Sequence, residues 1–152
     1  MEAAQASMIS FDNIEHGFRI AEEAGCQFNP ATDRVIAREE DGVLWGGNIF
    51  TGFTGASINT HTAGFRPGWA NRDFLWCIFH YCFNQLGCKK VFGQVPEYNT
   101  KALEIDLKLG FKIVARIEDV FPDGACLVLS LAREDCRWLN LKPRSIAPGS
   151  EN

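Results

Sequence analysis

Two stretches of the sequence combine small residues, polar residues and a helix start, which is the combination that can hold phosphate. The first is G-F-R-P-G-W-A-N-R at residues 64–72, whose first seven positions hold two glycines and a proline and so cannot be regular structure. Gly68 and Ala70 let a ligand approach the backbone, and Arg66 and Arg72 flank them as partners for a diphosphate. A helix starting near Asn71 adds unpaired N–H groups and about half a positive charge. The loop is neither a P-loop nor a G-x-G-x-x-G turn. On its residues alone it serves equally as a capped helix start with two solvated arginines. The second stretch is N-T-K-A-L-E-I-D-L-K-L-G-F at residues 99–111. Asn99 suits an N-cap, Gly110 suits the left-handed residue that closes a helix, and Ala102, Leu103, Ile105, Leu107 and Leu109 make one apolar face.

The elements that must position these stretches follow from periodicity and punctuation. Residues 12–25 have helical spacing through Ile14, Phe18 and Ala21. Residues 34–38 and 43–53 read as strands joined by Asp41-Gly42, a strong signal for a tight hairpin. Residues 56–62 make a third strand. A helix from about residue 71 carries Leu75, Ile78, Phe79, Cys82, Phe83 and Leu86 at its period and stops at Gly87. Residues 89–95, 112–117 and 126–132 are strands, with Pro122-Asp123-Gly124 turning between the last two. The final strand is apolar enough to be covered on both faces. Residues 11–141 are expected to be a single domain, with a flexible N-terminus at 1–10 and a flexible tail at 142–152 that holds Pro143, Pro148 and Gly149. The order helix, hairpin, strand, loop, helix, strand, helix, strand, strand is that of an α/β or α+β domain with a mixed sheet.

At 152 residues the chain fits one domain, and 46% hydrophobic with 22% charged residues is ordinary for a globular protein. A net charge of −4 argues against nucleic acid or an anionic membrane as the main partner. No apolar run reaches the ~18 residues of a membrane helix, and the N-terminus lacks a signal-peptide pattern, so a cytoplasmic location is expected. None of the six cysteines falls in a C-x-x-C, so no zinc or other metal site is expected, and reduced, mostly buried thiols are. A cysteine nucleophile would lack a paired histidine.

Asn99, Ala102, Gly110 and Phe111, in N-x-x-A-x-x-x-x-x-x-L-G-F after a strand ending V-P-E-Y, resemble the C-terminal signature of the GNAT superfamily of acyl-CoA N-acyltransferases. The order of elements matches that family from about residue 11 to 138. In detail, P-G-W-A-N-R-D-F-L-W, Q-L-G-C-K-K-V-F-G-Q-V-P and R-E-D-C-R-W-L resemble a branch of small GNAT-like proteins of phages and prophages. The resemblance implies a mixed, mostly antiparallel sheet with helices on both faces and a central pair of parallel strands, 56–62 and 89–95, that splay apart. It places the pantetheine arm of acetyl-CoA in that gap and the diphosphate on Arg66, Gly68, Trp69, Ala70, Asn71 and Arg72, with Asn99 across the gap.

The implied reaction transfers an acetyl group from acetyl-CoA to a primary amine by direct attack. It needs a base for the amine and N–H donors for the oxyanion. The splayed strand offers those donors near His61 and Thr62, and His61 is the nominee for base, against the alternative of a histidine with no catalytic part. Glu97 and Tyr98 stand at the mouth of the gap as weaker nominees. Two departures from the family bear on this. Trp69 and Asn71 occupy its two small phosphate-loop positions, and Asp106 occupies the position of its tyrosine acid, where an ionised carboxylate cannot donate. These departures keep a second reading open, a GNAT fold that binds acyl-CoA weakly or not at all and works through protein contacts. A homodimer through a free sheet edge is the remaining expectation.

Overall fold

The computed structural model describes residues 8–141. In chain order the elements are β1 (Met8–Phe11), α1 (Ile14–Ala24), β2 (Arg34–Glu40), β3 (Val43–Thr51), β4 (Ser57–Gly64), α2 (Arg72–Phe79), β5 (Lys90–Pro96), α3 (Thr100–Leu109), β6 (Lys112–Phe121) and β7 (Gly124–Ala132). The strands form one sheet in the order β1-β2-β3-β4-β5-β7-β6. Every neighbouring pair is antiparallel except β4 and β5.

Alternation along the central strands divides the core into two layers. Ile36, Phe50, Ile58, Val91 and Leu129 pack with Phe74 and Phe79 of α2. Their chain neighbours Val35, Ala37 and Ile49, with Ala63, pack instead with Ile20 and Ala21 of α1. Burying each of the larger side chains contributes about 1.5–3 kcal/mol, so both faces of the sheet need their helices. This is the mixed sheet, covered on both sides, that the sequence leads one to expect.

Several local expectations are met. Asp41 and Gly42 both have positive φ, at 51° and 81°, and close the β2–β3 hairpin as the two residues between Glu40 and Val43. Asn13, Asn71 and Asn99 cap α1, α2 and α3 by accepting from His16, Phe74 and Ala102 backbone N–H groups.

Others need correction. Residues 8–10, assigned from sequence to a flexible N-terminus, belong to β1 and pair with β2. The expected tail at 142–152 lies outside the described residues. The long helix ending at Gly87 is α-helical only to Phe79 and continues as a π-helical segment, His80–Gln85. A wider turn leaves carbonyls out of the usual ladder, and Arg133 compensates by donating from Nη1 to the Phe83 carbonyl and from Nη2 to Asn84 Oδ1. Over so few residues the hydrophobic period cannot separate the two kinds of helix. β6 runs four residues beyond its expected end, with a register shift between Ile117 and Phe121 and Asp119 at a φ of 61°.

The β4–β5 pairing is short. It runs from Ser57↔Lys90 to Thr60↔Gly93, and the Thr60 hydroxyl donates across the last rung to the Phe92 carbonyl at 3.3 Å. Beyond it β4 stays with β3 as far as Gly64↔Gly46, and β5 stays with β7 as far as Pro96↔Cys126. The two strands therefore part. Gly46 and Gly64 carry the indole of Trp69 on their α2 side, and a Cβ on either would stand 2.4 or 2.1 Å from that ring. Gly64→Ala is expected to lower the stability measured by chemical denaturation by roughly 1–3 kcal/mol, the usual penalty for overpacking. A wild-type denaturation midpoint in that variant would show that the indole has room to move.

Candidate functional site

Past Thr60, the edge of β4 that faces β5 has no strand partner, so its backbone polar groups front a cleft. The cleft is a cavity of about 450 Å³. Residues 60–64 of β4 form one wall and Gln94, Val95 and Pro96 of β5 the opposite one. Asn99, Lys101, Ala102, Ile105 and Asp106 close it along α3, with Glu23 and Ala24 contributed by the end of α1. One end is the loop from Phe65 to Trp69.

That loop is a tight turn set by its own residues. Trp69 N–H donates to the Arg66 carbonyl at 3.2 Å, Pro67 takes the second position, and Gly68 supplies the positive φ of 79° that the third requires. The Gly68 carbonyl accepts from Arg38 Nη1 at 2.6 Å. Arg38 is buried, pairs with Glu40, and lies 4.9 Å from the Trp45 ring centroid; Arg66 lies 5.8 Å from the same ring. Trp45 thus spaces a structural arginine from one that faces the cavity.

Of the residues nominated from sequence, the cavity brings together His61, Thr62, Arg66, Gly68, Trp69 and Asn99. It does not bring in Ala70, Asn71 or Arg72. The Asn71 side chain accepts from Phe74 N–H at 2.9 Å and fills the cap of α2. Arg72 Nε is buried without a hydrogen-bond partner among the described residues. Thr62 gives its hydroxyl hydrogen to Asn48 Oδ1, so its contribution to the cleft is backbone. Asn99 caps α3 at 3.2 Å and lines the cavity as well.

His61 Nε2 stands 3.2 Å from Thr51 Oγ1, which fixes the ring. Burial pushes its pKa below the usual 6.5, the nearby charge of Asp33 opposing this only in part, so the imidazole is neutral at ordinary pH. Neutral imidazole is the form that accepts a proton.

Asp106 is different from what sequence suggests. Its Oδ2 lies 3.5 Å from where a Cβ on Gly93 would sit, beside the last rung of the β4–β5 ladder. Burial raises its pKa from 3.8 to about 6, and no charge or hydrogen bond among the described residues offsets that rise. The expectation of a firmly ionised carboxylate is therefore corrected: the group titrates near pH 6, and at pH 7 about one in ten carries a proton. Sequence also passes over Gln94, Lys101 and Ile105, which share the wall.

The other nominees lie elsewhere. Glu97 is held by Arg116 at 2.5 and 2.9 Å, a hydrogen-bonded pairing that lowers its pKa, and neither it nor the exposed Tyr98 lines the cavity. Glu39 and Glu40, which flank the hairpin turn, are engaged by His16 at 2.5 Å and by Arg38. His80 stacks on Trp76. The six cysteines are free thiols, and burial raises their pKa, to about 12 at Cys77. Among the described residues no cluster of three or more His, Cys, Asp or Glu is placed to hold a metal ion, and no helix is long and apolar enough to cross a membrane.

No protein-family profile and no curated protein matches the chain by sequence. Solved structures do match it. Ard1 from Thermoplasma volcanium superposes with a TM-score of 0.67 at 17% identity, over 84% of this chain and 97% of that one. The acetyltransferase-type protein yncA from Salmonella typhimurium, solved with its cofactor acetyl-CoA, gives 0.62 at 13% over 93% and 99%. The spermidine/spermine N-acetyltransferase SpeG from Vibrio cholerae gives 0.65 at 13% over 89% and 96%. The fold is that of the GNAT acetyltransferases. Identities this low establish the architecture and leave activity to be argued from the site.

A carboxyl group with a raised folded-state pKa stabilises the protein only while it is protonated. For Asp106 that contribution is whole below pH 4, where unfolded aspartate is also protonated, and is lost as pH rises through about 6. The rise corresponds to about 3 kcal/mol at most. Asp106→Asn is expected to match wild type near pH 4 and to exceed it in stability by up to that amount above pH 7. Denaturation curves at the two pH values check this, and a difference that does not grow between them would mean that the carboxylate is not desolvated.

Proposed function

We propose that the chain is an acetyl-CoA-dependent N-acetyltransferase acting on a primary amine by direct attack. The observation that carries this reading is the unpaired inner edge of β4, which opens into a 450 Å³ cavity ending at the Arg66–Gly68 turn. A peptide-like pantetheine arm suits such an edge because it can hydrogen-bond there as an added strand would. The residues present fit that arm better than they fit the diphosphate. Arg66 is the cation at the cavity end, and Asn99 lies across from β4.

When bound, acetyl-CoA supplies an acetyl group already activated as a thioester. The protein's part is to place the amine, accept its proton and meet the charge that develops on the carbonyl oxygen. His61 is suited to take the proton, being held by Thr51 and kept neutral by burial. The backbone N–H of Thr62, which points to the free edge of β4 while that of His61 turns toward β3, is suited to the oxygen. Replacing His61 by Ala is expected to lower kcat at neutral pH roughly tenfold or more and to remove its limb from the pH–rate profile. An unchanged profile takes His61 out of the mechanism.

A second reading is favoured by the loop. Trp69 N–H is committed to Arg66, and Phe74 N–H to Asn71, so donors that a phosphate loop presents to its ligand are used internally. That suits a weak binder or a protein-interaction module. Calorimetric titration with acetyl-CoA separates the two. The transferase reading expects heat of binding, thermal stabilisation, and thiol release with some member of an amine panel. It also expects Arg66→Ala to weaken acetyl-CoA and dephospho-CoA alike, by roughly tenfold for a lost charged contact. No binding at millimolar acetyl-CoA favours the interaction module.

The cytoplasmic location and the phage or prophage branch rest on sequence runs. A homodimer would use a free sheet edge, and β6 is the candidate, with Ile113, Val114, Ile117 and Val120 about half exposed along it.

A further inference from the structure

We propose that Thr51 is a positioning residue: its hydroxyl accepts a hydrogen bond from His61 Nε2–H and so leaves Nδ1 as the atom that takes the amine's proton. The inference rests on the transferase reading above and deepens its site. Ile49 and Ala63 pack under α1, so Thr51 and His61, two residues from them along β3 and β4, stand on that same face of the sheet. β3 lies on one side of β4, and the cleft lies on the other. His61 lines the cavity and Thr51 does not, and Nε2 reaches 3.2 Å from Thr51 Oγ1, so this nitrogen points away from the cleft. The two nitrogens of an imidazole ring face widely divergent directions. Tethering Nε2 to β3 therefore turns Nδ1 toward the space that β5 has left, where it has no hydrogen-bond partner among the described residues. The Thr62 N–H points to that side as well.

Which ring nitrogen carries the proton is set by the hydrogen bond the other one makes. A hydroxyl can donate or accept, but 3.2 Å lies within the range for N–H giving to oxygen and is long for O–H as donor. Nε2 therefore carries the proton. A carboxylate is the more familiar partner for a histidine base. Asp33, in the connection between α1 and β2, is the carboxylate whose charge reaches His61. Its Oδ2 accepts from Asn29 N–H at 2.9 Å and its Oδ1 from the Thr32 hydroxyl at 3.1 Å, so it is held in its own loop. Glu23, Arg66, Lys101 and Asp106 line the same cavity, and none of them hydrogen-bonds the ring. A neutral hydroxyl aims the imidazole without drawing a charge onto it. In the transfer step the amine nitrogen bonds to the carbonyl carbon, its proton passes to Nδ1, and the carbon–sulfur bond breaks with its electron pair on sulfur. Nε2 keeps its proton on Thr51 throughout. Nδ1 then returns its proton to water at the cavity mouth, and the thiolate takes one from water.

The test uses the full chain and two independent readouts. In the first, the histidines carry nitrogen-15 and the ring nitrogens of His61, identified by their absence from His61→Ala, are followed by NMR where the ring is neutral. Protonated and bare ring nitrogens resonate far apart. The proton is expected on Nε2 in wild type and in Thr51→Ser, and shared between the two nitrogens in Thr51→Val, which keeps the side chain's shape and loses the hydroxyl. In the second, thiol release from acetyl-CoA is measured with an amine that wild type accepts. Thr51→Val is expected to lose roughly tenfold in kcat, the order of one hydrogen bond, with acetyl-CoA affinity by calorimetry comparable to wild type. Thr51→Ser is expected to recover most of that loss. The inference is overturned if wild type carries the proton on Nδ1, if Thr51→Val shows the wild-type nitrogen pattern, or if it keeps the wild-type kcat. A wild-type chain that neither binds acetyl-CoA nor releases thiol overturns the transferase reading, and the part given to Nδ1 with it. The wrong nitrogen pattern in an active chain overturns this inference alone.

Discussion

The β4–β5 ladder stops after four rungs, although each strand stays paired on its other side past that point. β3 carries β4 to Gly64 and β7 carries β5 to Pro96, and the right-handed twist of a sheet rotates the two further apart with each residue. The Trp69 indole adds a second constraint, because it rests on Gly46 and Gly64 and ties the loop to the end of β4. The cleft thus opens between two strands that are each held on the far side, and two side-chain-free positions seat the indole at its end. Everything that the site can do depends on that separation.

Much of the frame was legible because its signals are local. Asp41-Gly42 needs no partner beyond its own two strands, and Asn71, Asn99 and Gly110 act within one turn of their own helices. β1 was not legible, because M-I-S-F is too short to show a period and becomes a strand only by pairing with β2 some 27 residues later. The cavity wall was half legible. His61, Arg66 and Asn99 follow from the order of elements, whereas Ala70, Asn71 and Arg72 drop out because the Pro67-Gly68 turn closes on Trp69 and the helix begins at once. Lys101 and Ile105, like Ala102 and Asp106, stand four apart, so placing Asn99 at the cleft already implied which face of α3 would follow it. That spacing was read only as an apolar face.

Charge states were the least legible property, since they depend on burial that only the fold supplies. The same desolvation acts in opposite directions on the two groups that matter. It lowers the pKa of His61 by disfavouring imidazolium, and it raises that of Asp106 by disfavouring carboxylate. One cleft thus holds a neutral imidazole and a carboxyl that titrates near pH 6, with no ion pair between them required. The price is stability, because a carboxylate without a partner is an unfavourable thing to bury. Folds retain such groups chiefly where they serve chemistry.

The loop end of the cleft works on different terms. A loop that cradles an anion ordinarily does so with several free N–H groups at a helix start. Here the Trp69 N–H belongs to the turn, the Phe74 N–H belongs to the Asn71 cap, and the Gly68 carbonyl is drawn to Arg38. Bulk at Trp69 and Asn71 is thus not simply an obstacle to a ligand. Both residues spend the backbone groups a ligand would use, in exchange for a turn that is rigid without one. On the transferase reading, recognition at this end falls to the Arg66 guanidinium beside Trp45, whose planar fork of donors suits a phosphate, rather than to backbone dipoles. With the loop's backbone donors engaged, the β4 edge would supply the fixed groups that set the register of a bound thioester.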